Sequence, residues 1–334
     1  MVKSKLHQRA IGKTNLSVSS LGFGSAWLGV AGLNITEQES EQILQNAIEQ
    51  GITYFDTAPL YGHGLCEKRL GRILSKIPRN QFVISSKVGY SLVDPRLGQR
   101  HPMMLDNENK GFVYDYSYDG VRRSVEASLK RLQLDRIDIL FCHDIDVYTH
   151  GSNQPRMLEE AIDGTLPALA DLRSEGVIDA FGVGVNEWEV CDKVCETFDV
   201  DCFLLAGRFT LLEQEPLQYF LPKCVDRGIS VIVGGPYNSG LLVTKNRQDA
   251  TYNYKKANDK VWEKVQSIRD ICGFYGVELA AAALQYPLRH QAVSSVIPGI
   301  KTKEELSTNL IMMEKAIPES LWAELDHHGH VKHI

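Results

Sequence analysis

The sequence predicts one α/β domain, spanning residues 1–334, that folds as a (β/α)8 TIM barrel with a short N-terminal hairpin and long βα loops. Short β-branched and aromatic runs alternate about eight times with amphipathic stretches, and no linker-like break interrupts them. Strands that alternate with helices form parallel sheets, and eight such units close a barrel. An open doubly wound sheet is the rival, but residues 22–27 lack the third glycine of its GxGxxG fingerprint.

The first elements are a hairpin, a strand and a helix. The hairpin occupies the first fifteen residues and turns near residues 12–15, and residues 18–25 follow as the first strand of the barrel. Thr36 and Glu39 form a capping-box pattern that starts a helix with one apolar face, and Gly51 stops that helix.

Seven further strands are predicted, each followed by a helix. The strands cover residues 52–57, 82–87, 137–143, 177–184, 202–205, 229–233 and 293–297. The helices cover residues 65–77, 118–132, a stretch ending near 175, 187–197, 216–227, 257–275 and the chain from Thr302. Segments 89–116 and 144–155 are irregular. Loop 89–116 is long enough in a compact domain to suggest a functional lid.

Composition narrows the class of protein. The chain is 43% apolar with a net charge of −6, so it lacks both the composition of a disordered protein and a basic field for nucleic acid or anionic lipid. Seven cysteines without a CxxC pair indicate reduced thiols in a cytosolic protein. No secretory signal or apolar window of about 18 residues is present. We expect a cytoplasmic protein with a small-molecule ligand, and its oligomeric state stays open.

Three polar side chains are predicted at the same end of consecutive strands. Asp56 ends the second strand, Lys87 the third and His143 the fourth, while Tyr61 lies in the loop after Asp56. Active sites of (β/α)8 barrels lie at the carboxyl ends of the strands. Each residue alone has an ordinary structural explanation. The four together predict an active site.

These residue types are suited to proton transfer. A free tyrosine has a pKa near 10, and an ammonium held against its hydroxyl lowers that pKa. Lys87 would supply the ammonium, Asp56 would hold Lys87, and His143 would orient the oxygen of the substrate. None of them carries hydride, so interconversion of an alcohol and a carbonyl requires a nicotinamide cofactor.

A metal site is the other chemistry that the residue types of this region allow. Cys142, His143, Asp144, Asp146 and His150 are ligand types, but their spacing is irregular and no second histidine ends a strand. We therefore predict no metal.

The motifs resemble those of the aldo-keto reductase superfamily over nearly the whole chain. They are Asp-Thr-Ala-x-x-Tyr-Gly at 56–62, Ser-Ser-Lys at 85–87, Cys-His-Asp at 142–144 and Ile-Pro-Gly at 297–299. The resemblance implies a barrel, a nicotinamide cofactor and a catalytic tetrad of Asp56, Tyr61, Lys87 and His143.

Further segments are similar to one branch of that superfamily, which contains D-threo-aldose 1-dehydrogenases acting on L-fucose, L-galactose or D-arabinose, and pyridoxal 4-dehydrogenases. The segments are residues 115–121, 143–146, 184–191, 203–214 and 234–240. The resemblance implies cofactor contacts at Asn186, Arg208, Gly235, Tyr237, Ser239, Gly299, Lys301 and Asn309.

Three departures from the pattern of the superfamily bear on the cofactor. Ala206 replaces a glutamine that holds the nicotinamide amide in many relatives, and Gly234 replaces an aromatic residue that stacks on the nicotinamide. Gly299 and Glu305 stand where NADP-dependent relatives often place basic residues, although Lys301 stays basic. A carboxylate there would repel a 2′-phosphate, so we predict NAD, with NADP as the alternative.

The predicted function is NAD-dependent oxidation at C1 of an aldose, giving the lactone. The alternatives are pyridoxal 4-dehydrogenase, a general aldehyde or ketone reductase, and a cofactor-binding regulatory subunit like the potassium-channel β subunits of the same superfamily.

Overall fold

A computed structural model of the chain describes residues 6–105, 108–253, 255–332 and 334. Its strands, in chain order, are β1 (Gln8–Ala10), β2 (Ser17–Ser19), β3 (Phe23–Gly24), β4 (Tyr54–Asp56), β5 (Val83–Val88), β6 (Tyr90–Val93), β7 (Gly111–Tyr114), β8 (Ile139–His143), β9 (Ala180–Val185), β10 (Cys202–Ala206), β11 (Ser230–Gly234), β12 (Thr251–Tyr252), β13 (Lys255–Lys256) and β14 (Val293–Ile297).

Eight parallel strands form the central barrel. Their order is β3–β4–β5–β8–β9–β10–β11–β14. Parallel bridges between Leu21 and Val296 and between Gly24 and Gly299 join the last strand to the first and close the barrel. The predicted (β/α)8 barrel is confirmed.

Helices cover the outside of the barrel. They are α1 (Glu37–Glu49), α2 (Leu65–Leu74), α3 (Tyr118–Leu132), α4 (Val147–His150), α5 (Gln154–Glu160), α6 (Leu166–Ser174), α7 (Trp188–Thr197), α8 (Phe220–Arg227), α9 (Asp259–Phe274), α10 (Leu279–Leu288), α11 (Lys303–Glu314) and α12 (Glu319–His327). The capping box that starts α1 is present, since the Thr36 side chain accepts from the Glu39 amide and the Glu39 carboxylate accepts from the Thr36 amide.

The N-terminal hairpin lies slightly later than predicted. Residues 6–15 are the described part of the predicted hairpin, and β1 pairs with β2, which extends to Ser19. The predicted first strand, 18–25, is therefore divided between the hairpin and the two-residue barrel strand β3. The division occurs because Ser19 and Thr53 exchange side-chain and backbone hydrogen bonds, which hold β2 beneath the barrel.

Segment 89–116 is not wholly irregular, which corrects the prediction. Strands β6 and β7 form an antiparallel ribbon with Tyr90 opposite Tyr114. Aromatic and β-branched residues favour these strands, but the long polar stretch between them hides the pairing in the sequence. Segment 144–155 likewise contains the short helix α4. The role of 89–116 as a lid stays a prediction.

Helices α10 and α12 were not predicted. Helix α10 is apolar on nearly all sides and contains Pro287, so it shows no clear helical periodicity. Helix α12 begins after Pro318 as a separate element. Among the described residues, no helix is both long and apolar enough to cross a membrane.

The alternation of side chains along the strands directs the predicted residues into the barrel. Tyr54, Val83 and Phe141 belong to the buried cluster that fills its interior. Side chains two or four residues further along a strand face the same way. Asp56 follows Tyr54 by two residues, Lys87 follows Val83 by four, and His143 follows Phe141 by two, so all three face the interior at its carboxyl end.

Candidate active site

Lys87 and Asp56 form a buried ion pair at the carboxyl end of the barrel. The Lys87 Nζ atom donates to Asp56 Oδ1 at 2.8 Å, to Asp56 Oδ2 at 2.7 Å and to the Thr57 carbonyl at 2.9 Å. Both side chains are almost fully buried, with 1% and 3% exposed. Three acceptors satisfy the three N–H groups of an ammonium, so this lysine has one defined position.

A hydroxyl chain supports the carboxylate from the interior of the barrel. Ser85 Oγ donates to Asp56 Oδ1 at 2.7 Å, and the Tyr54 hydroxyl lies 2.9 Å from Ser85 Oγ. Burial raises the pKa of Asp56, while the charge and hydrogen bonds of Lys87 act against that rise. The donors around Asp56 thus offset part of the cost of burying its charge.

Tyr61 lies above this ion pair. The Lys87 Nζ atom is 4.8 Å from the centre of the Tyr61 ring. Tyr61 begins a tight turn, Tyr61–Gly64, in which His63 adopts a φ of 50°. The His63 Nδ1 atom lies 3.0 Å from the Leu105 carbonyl oxygen, which ties this turn to the segment between β6 and β7.

His143 completes the group. Its ring is 6.0 Å from that of Tyr61 and nearly perpendicular to it. Burial first, and then the charges of Lys87 and His101, hold the pKa of His143 well below its ordinary value. The imidazole is therefore neutral at neutral pH and can donate one hydrogen bond.

The structure thus brings together the four residues predicted as catalytic. A phenol, a neutral imidazole and a lysine–aspartate pair share one end of the barrel. An ammonium beside a phenol favours the phenolate. The group can therefore take a proton from an alcohol, or return one to a carbonyl oxygen.

Two residues that were not predicted, Asp144 and Tyr90, border the same site. The Asp144 Oδ2 atom lies 3.5 Å from His143 Nε2 and accepts a hydrogen bond from the Tyr90 hydroxyl at 2.9 Å. The His-Asp-Ile-Asp motif at residues 143–146 was the available sequence signal for Asp144. Nothing in the sequence indicated that strand β6 brings Tyr90 to it.

Asn186 and Arg208, predicted as cofactor contacts, lie next to each other after β9 and β10. The backbone amide of Asn186 donates to Asp146 Oδ2 at 2.7 Å. The backbone carbonyl of Asn186 accepts from Arg208 Nε at 2.6 Å. Arg208 also donates to Asn253 Oδ1 at 2.9 Å, which fastens the β12–β13 region to this side of the barrel.

Gly235, Tyr237 and Ser239 lie in the turn after β11, and Asn309 lies on α11, the helix that follows β14. The Tyr237 hydroxyl donates to Asn309 Oδ1 at 2.7 Å, linking the turn after β11 to helix α11. Gly235 and Ser239 have φ values of 57° and 58°, so the backbone bends tightly between them. Asn238 was not predicted, although it occupies the centre of this turn.

Gly299 and Lys301 lie against Trp27. A Cβ atom at position 299 would lie 1.7 Å from Trp27 Cδ1, so only glycine fits beneath the indole. The Lys301 Nζ atom is 4.9 Å from the Trp27 ring centre and 3.3 Å from Glu305 Oε1. Glu305 Oε2 also accepts the Lys301 amide at 2.8 Å. Glu305 therefore already neutralises the lysine.

Buried polar atoms at this end of the barrel fit the nicotinamide cofactor that the resemblance implies. Among the described residues, His143 Nδ1, Asn238 Oδ1 and Thr57 Oγ1 are buried and have no hydrogen-bond partner within the chain. Buried polar atoms normally have partners, so such atoms at the end of the barrel that carries Tyr61, Lys87 and His143 indicate a ligand that supplies them. The described residues include no group of three or more His, Cys, Asp or Glu side chains arranged to hold a metal ion.

Comparison with known proteins connects this geometry to a family. Residues 20–330 match the model of the aldo/keto reductase family. The chain is 38% identical to a pyridoxal 4-dehydrogenase of Microbacterium luteolum, covering 96% of this chain and 97% of that protein. It is 36% identical to a D-threo-aldose 1-dehydrogenase of a Pseudomonas species, covering 95% of each. The holo form of an aldo-keto reductase from Bacillus halodurans superposes with a TM-score of 0.76 at 25% identity, covering 96% of each chain.

Proposed function

We propose that this chain, which belongs to the aldo/keto reductase family, is an NAD-dependent dehydrogenase that oxidises C1 of an aldose to the lactone. Aldo-keto reductases use nicotinamide cofactors. The observation that carries the proposal is the buried Lys87–Asp56 pair beneath Tyr61, with the neutral His143 next to it. The similarity to a D-threo-aldose 1-dehydrogenase supports an aldose as the substrate.

Each of the four residues has a separate task in this proposal. Tyr61 takes the proton of the anomeric hydroxyl, and the Lys87 ammonium stabilises the phenolate that this requires. Asp56 holds the Lys87 ammonium in place through two short hydrogen bonds. His143 donates a hydrogen bond to the reacting oxygen and orients it. When bound, the nicotinamide supplies the hydride acceptor that the side chains lack.

The preference for NAD rests on the Lys301–Glu305 contact. Glu305 pairs with the Lys301 ammonium and also accepts a hydrogen bond from the Lys301 backbone amide, so this basic residue just before α11 is already bonded to a carboxylate. The carboxylate also repels a phosphate directly. The residues that would hold the rest of the cofactor are Asn186, Arg208, Gly235, Tyr237, Ser239, Gly299 and Asn309.

Oxidation of pyridoxal to its lactone is the second candidate. The 38% identity to a pyridoxal 4-dehydrogenase favours it. Pyridoxal forms an internal hemiacetal, so the same proton transfer at Tyr61 would serve.

We also expect the protein to work in the cytoplasm. All seven cysteines are buried as free thiols, which suits a reducing compartment.

A screen of NAD reduction with L-fucose, L-galactose, D-arabinose and pyridoxal tests the proposal. We expect turnover with at least one of the three sugars, and turnover with pyridoxal alone would favour the second candidate. The same screen with NADP tests the cofactor preference. Tight nicotinamide binding without turnover on any sugar or aldehyde would instead favour a regulatory subunit.

A further inference from the structure

Asp144 is held in an unusual backbone conformation directly after the predicted catalytic histidine. Its φ of 53° lies in the left-handed region, which residues with a side chain rarely adopt. The Asp144 amide donates to the Gly184 carbonyl at 2.9 Å. The Tyr116 hydroxyl lies 2.8 Å from the His143 carbonyl oxygen and 3.1 Å from that of Asp144. Such a conformation persists where the surrounding contacts determine it, and it is common at functional sites.

The backbone directs the Asp144 carboxyl group toward the barrel mouth, next to the reacting centre of the proposed mechanism. Oδ2 is 3.5 Å from His143 Nε2 and is held by the Tyr90 hydroxyl, whereas no described residue donates to Oδ1. Only 15% of the side chain is exposed. Burial, and then the charge of Asp146, raise the pKa of Asp144 to about 7. The carboxylate thus lacks donors on one oxygen, and the proposed proton transfer at Tyr61 does not use it.

Aromatic side chains form the wall beside this carboxylate. Tyr90 contacts Phe112 and Tyr114 with ring centres 5.2 and 5.1 Å apart, and Tyr114 lies 4.5 Å from the ring of His150. Tyr114 is only half-buried, so part of its ring remains available. A carboxylate that accepts hydrogen bonds from hydroxyl groups, beside a half-buried aromatic ring, suits a ligand with both hydroxyl groups and a C–H surface, as a sugar has.

We propose that Asp144 is a specificity-determining residue, whose Oδ1 atom accepts a hydrogen bond from the hydroxyl on the carbon next to the reacting carbon. The inference rests on the proposed oxidation of an aldose. Because His143 Nε2 and Asp144 Oδ2 are only 3.5 Å apart, a substrate that bonds its reacting oxygen to His143 brings its neighbouring oxygen to Asp144. The site therefore favours aldoses with a hydroxyl group at C2 over analogues without that hydroxyl.

The test removes one group from the enzyme, the Asp144 carboxylate, and one group from the substrate, the hydroxyl at C2. The kcat/KM of wild type and of Asp144→Asn is measured with L-fucose and with its 2-deoxy analogue at about pH 8.5, where the Asp144 carboxyl group is ionised. Asparagine has the shape of aspartate and tolerates a left-handed backbone, so the variant keeps the fold. We expect wild type to prefer L-fucose by at least about tenfold, and the variant to lose about tenfold of that preference, because a hydrogen bond to a charged group is stronger than one to a neutral amide. The loss of turnover should therefore be larger with L-fucose than with the 2-deoxy sugar.

Two further variants make the result specific. Asp171→Asn is a matched control, because Asp171 on α6 also accepts a tyrosine hydroxyl, that of Tyr118 at 2.7 Å, but on the outer surface; it should leave the preference unchanged. Tyr90→Phe removes the donor that holds Asp144 and should reduce the preference in the same direction as Asp144→Asn. An unchanged preference in Asp144→Asn, or an equal loss on both sugars, would overturn this inference alone. A wild type inactive on every aldose would overturn the proposed function together with it.

Discussion

Lys87 donates hydrogen bonds to both carboxylate oxygens of Asp56, at 2.8 and 2.7 Å, inside a barrel that leaves 1% and 3% of these side chains exposed. Burial of an ion pair costs desolvation energy, which the pair regains only while both partners are present. The pair is therefore a point at which a single substitution leaves an uncompensated buried charge.

Removing one partner of this pair should destabilise the protein strongly. We expect Lys87→Met to lower the free energy of unfolding by about 3 kcal/mol, because the Asp56 carboxylate then stays buried without its cation. Asp56→Asn should also be destabilising, because the Lys87 ammonium then stays buried without its carboxylate. The double variant should lose less than the sum of the two, by about 1–3 kcal/mol. Urea unfolding of the three variants measures this coupling, and strictly additive losses would show that the two residues act independently.

Replacing the phenol should stop the chemistry without preventing cofactor binding. We expect Tyr61→Phe to lower kcat by about 10²–10⁴, the usual contribution of a general acid–base group. The affinity for NAD, measured by calorimetric titration, should stay unchanged. Tyr219→Phe is the matched control, since Tyr219 is 66% exposed. Activity retained in Tyr61→Phe would mean that another group transfers the proton.

The sequence contained enough information to place Asp56, Lys87 and His143 together because two simple regularities govern them. Side chains alternate along a strand, and the carboxyl ends of parallel strands share one edge. Tyr61 follows from its short distance along the chain to Asp56. These residues depend on local pattern and on the closure of the barrel, and both can be inferred without knowing any long-range contact.

The remaining parts of the site depend on contacts between distant segments. Tyr90 reaches Asp144 only because β6 pairs with β7, although a long polar stretch of the chain separates the two strands. Arg208 is held by Asn186 and Asn253, which are 22 and 45 residues away along the chain, rather than by its own strand. The left-handed conformation of Asp144 is set by hydrogen bonds from other strands and loops. No periodicity of the chain encodes such contacts.

Releasing Lys301 from its carboxylate should weaken the selection of NAD. We expect Glu305→Gln to lower the ratio of kcat/KM for NAD over NADP by about tenfold, because repulsion of the 2′-phosphate is removed and the Lys301 ammonium becomes available to it. The effect should shrink at high salt. Glu314→Gln, at the other end of α11, serves as the control. If wild type already preferred NADP, the inference from Glu305 would be wrong.

The carboxyl group of Asp144 should make stability depend on pH in a defined direction. Its pKa in the folded protein is raised to about 7, whereas an unfolded aspartate has a pKa near 3.9. A raised pKa means that the folded state binds the proton more tightly, so the stabilising contribution is fully present below about pH 4 and is lost as the pH rises through about 7. Relative to Asp144→Asn, which does not titrate, wild type should therefore lose about 1–2 kcal/mol of unfolding free energy between pH 5.5 and pH 7.5.

Comparing wild type with Asp144→Asn separates the contribution of Asp144 to the pH dependence of stability from that of other titrating groups. His143, whose pKa is lowered by burial, changes stability in the opposite direction, but it does so in both proteins and largely cancels in the difference. Urea unfolding at the two pH values gives that difference directly. Asp171→Asn, on the outer surface, should show no such dependence on pH. A constant difference between wild type and Asp144→Asn would mean that Asp144 is ionised throughout this range, because solvent or a neighbouring charge stabilises its carboxylate.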